Sequence, residues 1–198
     1  VRFAFVSCQD ANLGVLNAYR RMIYEDERAS ETDRLGFVLH LGDFIYEMVW
    51  YPEDRARYYD RTIRDIVRYP SGEKIHDFHI PTTVEDYRLV YRNYLHDPDL
   101  QDARARWPFV PMWDNHEYSW EGFQGMQIFD GKTRPAQTFK VAANQAFFEY
   151  QPARMVKPSG PSLEKFAPPK VENVPIKTFD DNGLGLEPNN LTAINSLK

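Results

Sequence analysis

Three short stretches carry the residues that could do chemistry. They are "SCQD" (Ser7 to Asp10), "GDFIYE" (Gly42 to Glu47) and "DNHE" (Asp114 to Glu117). Together they offer a thiol, several carboxylates, a phenol, an amide oxygen and an imidazole. That set is an inventory of metal-ligating donors of mixed softness. Each stretch follows an apolar run that reads as a strand: "RFAFV", "GFVLHL" and "FVPMW". Ligands in open α/β sheets bind outside the carboxyl ends of the strands. The three groups, about 35 and 70 residues apart, are therefore expected to converge. A carboxylate such as Asp43 at the end of a buried strand is costly unless a charge meets it. Taken singly, each residue has an ordinary explanation. Cys8 reads as a small buried hydrophobe and Tyr46 as core. Asp43 reads as a helix cap, and Asn115-His116 as a turn or a structural histidine. Their joint placement at three strand ends is what favours a site.

The elements that must position these groups alternate strand and helix. "RFAFV" (Arg2 to Val6) reads as a buried strand. "LGVLNAYRRMIYEDE" reads as a helix with Asn12 as its cap, and "LGFVLHLGD" as the second strand. This βαβ unit predicts a layered α/β fold. Residues Val49 to Thr83 lack a simple period and read as a long excursion over the top of the sheet. "TTVEDYRLVYRNYL" predicts a helix capped by Thr83, with Asp86 at capping-box spacing. Asp97 and Pro98 start a short helix that Trp107-Pro108 stops. Pro135 starts a last helix, which ends before Pro152. Beyond it, the abundance of Pro, Gly and Asn predicts an extended segment. The domain reading is thus 1–150 for the folded portion and 151–198 for the extended one.

The totals narrow the function classes. A chain of 198 residues has room for one sizeable core. Net charge is −5, so no nucleic-acid partner is indicated. No apolar run is long enough for a transmembrane segment. The first residues read as a strand and not as a signal peptide. With Cys8 the single cysteine, no internal disulfide can form.

The order and flanks of "SCQD", "HLGDFIYE", "TTVEDYRLVYRNYLHDPDLQ" and "WDNHE" resemble the PhoD-like alkaline phosphatases and phosphodiesterases. These belong to the calcineurin-like metallophosphoesterase superfamily. The resemblance runs from Val1 to about Tyr150. It implies a metallophosphoesterase-like layered αββα sandwich, of which this chain would be the N-terminal half. It further implies metal-dependent hydrolysis of phosphate monoesters or diesters in the periplasm or outside the cell. On that resemblance Cys8, Asp43 and Tyr46 bind Fe3+, with Asp43 bridging to a second, divalent ion. Asn115 is the amide ligand of that second ion, for which Ca2+ is the first choice and Zn2+ or Mn2+ the alternatives. Many relatives carry Asp at the Asn115 position, so the amide here makes the second site less anionic. His116 is the residue that contacts the phosphate and assists the leaving group. Asp10, Asp114 and Glu117 are supporting residues around the ligands. Thiolate and phenolate suit a trivalent ion, and two adjacent cations suit the transfer of a phosphoryl group.

The resemblance also calls for a further aspartate and histidines downstream. None of the five histidines lies after residue 116. The C-terminal half of the domain, from the same protein or a second chain, is therefore the expected partner beside the phosphate ester substrate. Without it, weak metal binding and little activity are expected. The competing reading is a catalytically silent scaffold or partner-binding module that keeps the fold. A redox iron protein is a third reading, disfavoured by having one Cys and one Tyr as ligands. Trp50, Tyr58, Arg64 and Arg68 in the excursion are candidates for substrate contacts.

Overall fold

The structure is a computed structural model that describes residues 1–122 and 125–152. The extended segment expected over 151–198 lies, from residue 153 on, outside the described residues. Three parallel strands form the central sheet: β1 (Arg2–Val6), β2 (Leu35–His40) and, in sequence order, β8 (Phe109–Pro111). Their order is β1-β2-β8, with Val6 beside His40 and His40 beside Pro111. The connection from β1 to β2 is helix α1 (Ala18–Arg28). Between β2 and β8 come five short strands, β3 (Val49–Trp50), β4 (Arg57–Tyr58), β5 (Arg61–Thr62), β6 (Glu73–Ile75) and β7 (Phe78–Ile80). Helices α2 (Val84–Leu95) and α3 (Pro98–Arg106) follow them. After β8 come the hairpin β9 (Met126–Phe129) and β10 (Lys132–Pro135), then α4 (Gln137–Tyr150).

The alternation of the strands decides where the core sits. Val38 and His40 of β2 and Phe109 of β8 face the helices and are buried. Tyr19 of α1 packs on Phe109 with ring centroids 6.0 Å apart. Tyr87, Tyr91 and Tyr94 of α2 have no exposed surface. Burial pushes the His40 pKa down to about 4, assisted by the Arg104 charge. His40 therefore packs as a neutral ring against Phe44, 5.0 Å away. Asp26 of α1 is buried and bridges Arg106 of α3 (2.7 Å) and the backbone N–H of Leu35 (2.6 Å). That one acid ties α1, α3 and the start of β2 together.

The opposite face of the sheet is apolar, and among the described residues nothing covers it. Phe5 is 69% exposed, and Phe3, Val110 and Met112 are each about half exposed. The expectation that β1 is a buried strand is therefore corrected: its inward residues are small or few, and its two phenylalanines point outward. Phe3 stacks on Phe37 at 5.1 Å across that open face.

Local chemistry explains most helix boundaries. The Thr83 hydroxyl accepts the Asp86 N–H, and the Asp86 carboxylate accepts the Thr83 N–H, closing the capping box. Asp97 Oδ1 caps α3, with Pro98 in its first turn. Two expectations shift. Helix α1 begins at Ala18, five residues later than the apolar spacing suggests, and Asn12 does not cap it. The Asn12 amide instead bonds the backbone of Trp50 (2.8 and 3.1 Å) and Arg64 (2.7 Å). Pro135 closes β10 and does not open α4. The excursion is also more ordered than a plain loop. Strands β3, β7 and β6 form a sheet, β4 and β5 form a hairpin, and Met48, Trp50, Ile63, Phe78 and Ile80 form a second small core.

Replacing Thr83→Ala removes one arm of the capping box and is expected to cost about 1 kcal/mol of stability. Urea unfolding followed by far-ultraviolet circular dichroism measures it; an unchanged midpoint would show the cap to be redundant.

Candidate metal centre

The three strand-end stretches do converge. The Cys8 N–H donates to the Gly42 carbonyl and the Gln9 N–H to the Asp43 carbonyl, both at 3.2 Å. Gln9 Nε2 reaches the Phe44 carbonyl at 2.8 Å, and Tyr19 Oη donates to Gln9 Oε1 at 2.6 Å. The first stretch is thereby fastened along the second. The third is fastened by Glu117. Its buried carboxylate accepts the N–H groups of Asp43 (3.0 Å), Phe44 and Asp114 (2.7 Å). Burial pushes the Glu117 pKa up to about 7, against the pull of those three donors.

The backbone at the site lies in unusual conformations. Gly42 has φ +98°, and a Cβ placed there would lie 2.6 Å from both Cβ and N of Asp114. Only glycine allows the second and third stretches to approach this closely. Cys8 (φ +57°) and Asp43 (φ +53°) also occupy the left-handed region. Such conformations cost of order 1–3 kcal/mol and cluster at functional sites. Here they turn the Cys8 and Asp43 side chains away from regular strand positions.

The side chains gather around Asp43 and Tyr46. Asp43 is 5% exposed, and its Oδ1 accepts the His116 N–H at 3.2 Å. Tyr46 Oη lies 3.5 Å from Asp43 Oδ2. Burial, followed by the nearby Asp43, Cys8 and Asp10, drives the Tyr46 phenol far above its ordinary pKa, and a hydrogen bond with Cys8 adds to this. Asp10 accepts the Asn12 N–H at 2.9 Å, and burial raises its pKa. Cys8 is exposed, not the buried hydrophobe that a lone cysteine suggests. Its thiol, the Tyr46 phenol and the Asp43 carboxylate therefore share one small volume rich in potential anions. A donor set of this kind suits a cation, because a positive charge offsets the burial and the negative neighbours that keep the phenol protonated. Asn115 is half-buried, and its carbonyl accepts from Tyr118 (2.9 Å) and Ser119 (2.7 Å). Asp114 contributes its backbone N–H to Glu117 while its side chain is exposed. Among the described residues, no group of three or more His, Cys, Asp or Glu side chains is arranged to enclose an ion. The convergence depends on the phenol of Tyr46.

His116 is buried beside this cluster. Its ring stacks on Tyr46 with centroids 3.9 Å apart, and its Nδ1 meets Glu47 Oε2 at 2.7 Å. Burial alone would lower the His116 pKa, but the Glu47 charge and hydrogen bond, with Asp43 and Asp10, leave it raised. Glu47 has no exposed surface and also accepts the Trp120 N–H. Glu47 is the residue the sequence reading left without a role, although it lies four positions after Asp43 in the same stretch. Tyr94 is another. Its hydroxyl accepts the N–H groups of Ala11 (3.2 Å) and Tyr46 (3.1 Å), so α2 braces two of the three stretches. Of the expected excursion contacts, Trp50 and Tyr58 line a cleft of about 500 Å³ next to Tyr46 and His116. Arg64 and Arg68 do not. Arg64 donates to the Ala11 carbonyl, and Arg68 pairs with Glu53 and Asp65.

Glu117→Ala is expected to cost about 3 kcal/mol by leaving three N–H groups without their acceptor. Asp114→Ala, an exposed change, is expected to stay within about 0.5 kcal/mol. Denaturant unfolding of both variants checks the contrast, and equal effects would remove Glu117 from its clamping role.

A family model described as PhoD-like phosphatase matches residues 3–167. Alkaline phosphatase D of Bacillus subtilis (strain 168) is 33% identical over 168 residues, which is 83% of this chain and 25% of that protein. The solved structure of PhoD superposes with a TM-score of 0.56 at 29% identity, over 81% of this chain and 27% of that one. The chain spans about a quarter of the length of the relatives it matches. Because the family model spans residues 3–167, most of the chain, this chain belongs to the PhoD-like phosphatase family.

Proposed function

We propose that the protein hydrolyses phosphate monoesters or diesters at a metal centre built on Cys8, Asp43, Tyr46 and Asn115. The observation that carries this reading is the gathering of thiol, phenol and buried carboxylate around one point, with His116 stacked beside them. Fe3+ would be held by Cys8, Asp43 and Tyr46. A divalent ion, Ca2+ first and Zn2+ or Mn2+ as alternatives, would be held by Asp43 and Asn115. When bound, these ions would supply positive charge to the phosphoryl oxygens. The residues of the chain supply the rest. Asp43 keeps its orientation because the His116 N–H binds one of its oxygens. Glu47 holds His116 by Nδ1, which leaves Nε2 as the nitrogen that can donate to the leaving oxygen. The Tyr46 ring, stacked on the imidazole, blocks rotation of His116 away from the cleft.

The uncovered apolar face of the sheet bears on the partner. Phe3, Phe5, Val110 and Met112 are all exposed on this face, and exposed apolar patches mark interaction sites. We propose that the C-terminal half of the domain lies on this face as a second sheet, completing the sandwich. The silent-scaffold reading draws on one observation, the lack of a three-membered His, Cys, Asp or Glu cluster among the described residues.

Metal analysis and turnover of p-nitrophenyl phosphate and bis(p-nitrophenyl) phosphate separate the two readings. With the C-terminal half of the domain present, the enzyme reading expects bound iron and a visible tyrosinate-to-iron band that Tyr46→Phe abolishes. It also expects His116→Ala to lower kcat by about 10²- to 10⁴-fold. A colourless, iron-free protein with no turnover would leave the scaffold. For the outer face, the chain alone is expected to bind a hydrophobic dye strongly, and Phe5→Lys with Val110→Lys to reduce that binding. Equal dye binding by the variant would count against an open apolar face.

A further inference from the structure

The cleft beside Tyr46 and His116 has a floor and a wall of different chemistry. Its floor carries Tyr46 and His116 of the proposed reaction centre, with Asp10 beside them. Its wall is Trp50, Tyr58, Tyr59, Phe78 and Trp120. These aromatics come from the excursion and from the turn after the third stretch, so they are not part of the main core. Tyr59 is 76% exposed and Trp120 is 41% exposed. Large aromatics left open at the mouth of a cleft are placed to meet a ligand. Tyr59 is held at φ +46°, followed by Asp60 at φ +58°, so the β4–β5 turn presents this ring through an uncommon backbone.

The wall also carries its own cation. The Arg55 guanidinium lies 5.3 Å from the Trp50 ring centroid and 4.8 Å from that of Tyr58. Asp77 anchors it, accepting from Arg55 Nε at 2.6 Å and from Trp50 Nε1 at 3.4 Å. The positions that a cationic ligand would seek over Trp50 and Tyr58 are therefore already served by Arg55. With Arg55 and Asp77 paired, the wall is close to neutral. What remains for a ligand is the exposed aromatic surface of Tyr59 and Trp120.

We propose that this cleft is the subsite for the organic group of the ester and that it favours substituents bearing a neutral planar aromatic ring. The inference rests on the phosphoesterase reading above. A flat ring gains from stacking on exposed aromatic side chains, about fivefold to over a hundredfold in affinity per ring at comparable sites. A cleft of about 500 Å³ has room for such a group beside a phosphoryl moiety.

Binding of phenylphosphonate and methylphosphonate, measured by calorimetry on the metal-loaded protein, tests the preference without requiring turnover. The two share the anionic group and differ in the ring. Phenylphosphonate is expected to bind about tenfold more tightly. In the Tyr59→Ala and Trp120→Ala variants, separately and together, the ratio is expected to fall below about threefold. Both side chains are exposed, and far-ultraviolet circular dichroism and the melting temperature report whether each variant folds. Equal affinities for the two phosphonates, or a ratio that survives both substitutions in folded variants, would overturn the proposal. So would tighter binding of phosphocholine than of phenylphosphonate, which would mark a cation cage. Failure to hydrolyse any phosphate ester, with the phosphonate preference intact, would instead remove the phosphoesterase reading and leave the aromatic subsite.

Discussion

The arrangement of the site depends on a buried carboxylate, that of Glu117, meeting three backbone N–H groups from two different strand ends. Loops at strand ends have amide groups that no ladder satisfies, and a buried amide without an acceptor is expensive. Glu117 meets that requirement for Asp43, Phe44 and Asp114 together. The same contact holds the second and third stretches at the separation that Gly42 alone permits. Once they are joined, the His116 N–H lies on Asp43 and the imidazole lies on Tyr46. The first stretch then follows, because its N–H groups have the Gly42 and Asp43 carbonyls as acceptors.

A second layer of buried hydroxyls supports the first. Tyr94 receives two N–H groups from the site stretches, Tyr87 donates to the Tyr118 carbonyl at 2.6 Å, and Tyr69 donates to the Glu47 carbonyl at 2.6 Å. A phenylalanine at any of these positions would fill the same space and leave a backbone group unpaired. The high aromatic content thus serves two ends. The rings fill the core between α2 and the sheet, and their hydroxyls satisfy the irregular backbone around the site. The carboxylates of Asp43 and Asp10 lie near Cys8 and Tyr46, and the chemistry of that group points to a cation.

Several features were legible because their signals are local. The capping box of Thr83 and Asp86 and the Pro98 start of α3 need only a few adjacent residues. The hairpin β9–β10 could have been found in the same way. Asp130-Gly131 between "MQIF" and "KTRP" is a type I′ turn signal, and both residues have positive φ. The sequence reading passed over it. Other features were not legible. The short strands of the excursion hold two or three residues each, too few to display a period, and they form only because Trp50, Phe78 and Ile80 share a small core. Asn12 has the form of a helix cap, yet its amide is used to clamp the backbone of Trp50 and Arg64. The outward direction of Phe5 depends on which face of the sheet the helices cover, and an alternation of apolar residues carries no such information.

By itself the sequence determined the three strands of the central sheet, the four helices, their order and the identity of the three strand-end stretches, because strand periodicity, capping and motif spacing are properties of neighbours along the chain. It also determined membership of a family whose pattern those stretches carry. Tertiary structure decided the rest. It selected Glu47 as the anchor of His116 and Arg55 over Arg64 and Arg68 as the cation at the cleft, and it made Glu117 the clamp between strand ends. The physical reason is common to all three. Each role depends on a distance of a few ångströms between residues that are tens of positions apart, or on the burial that such proximity creates.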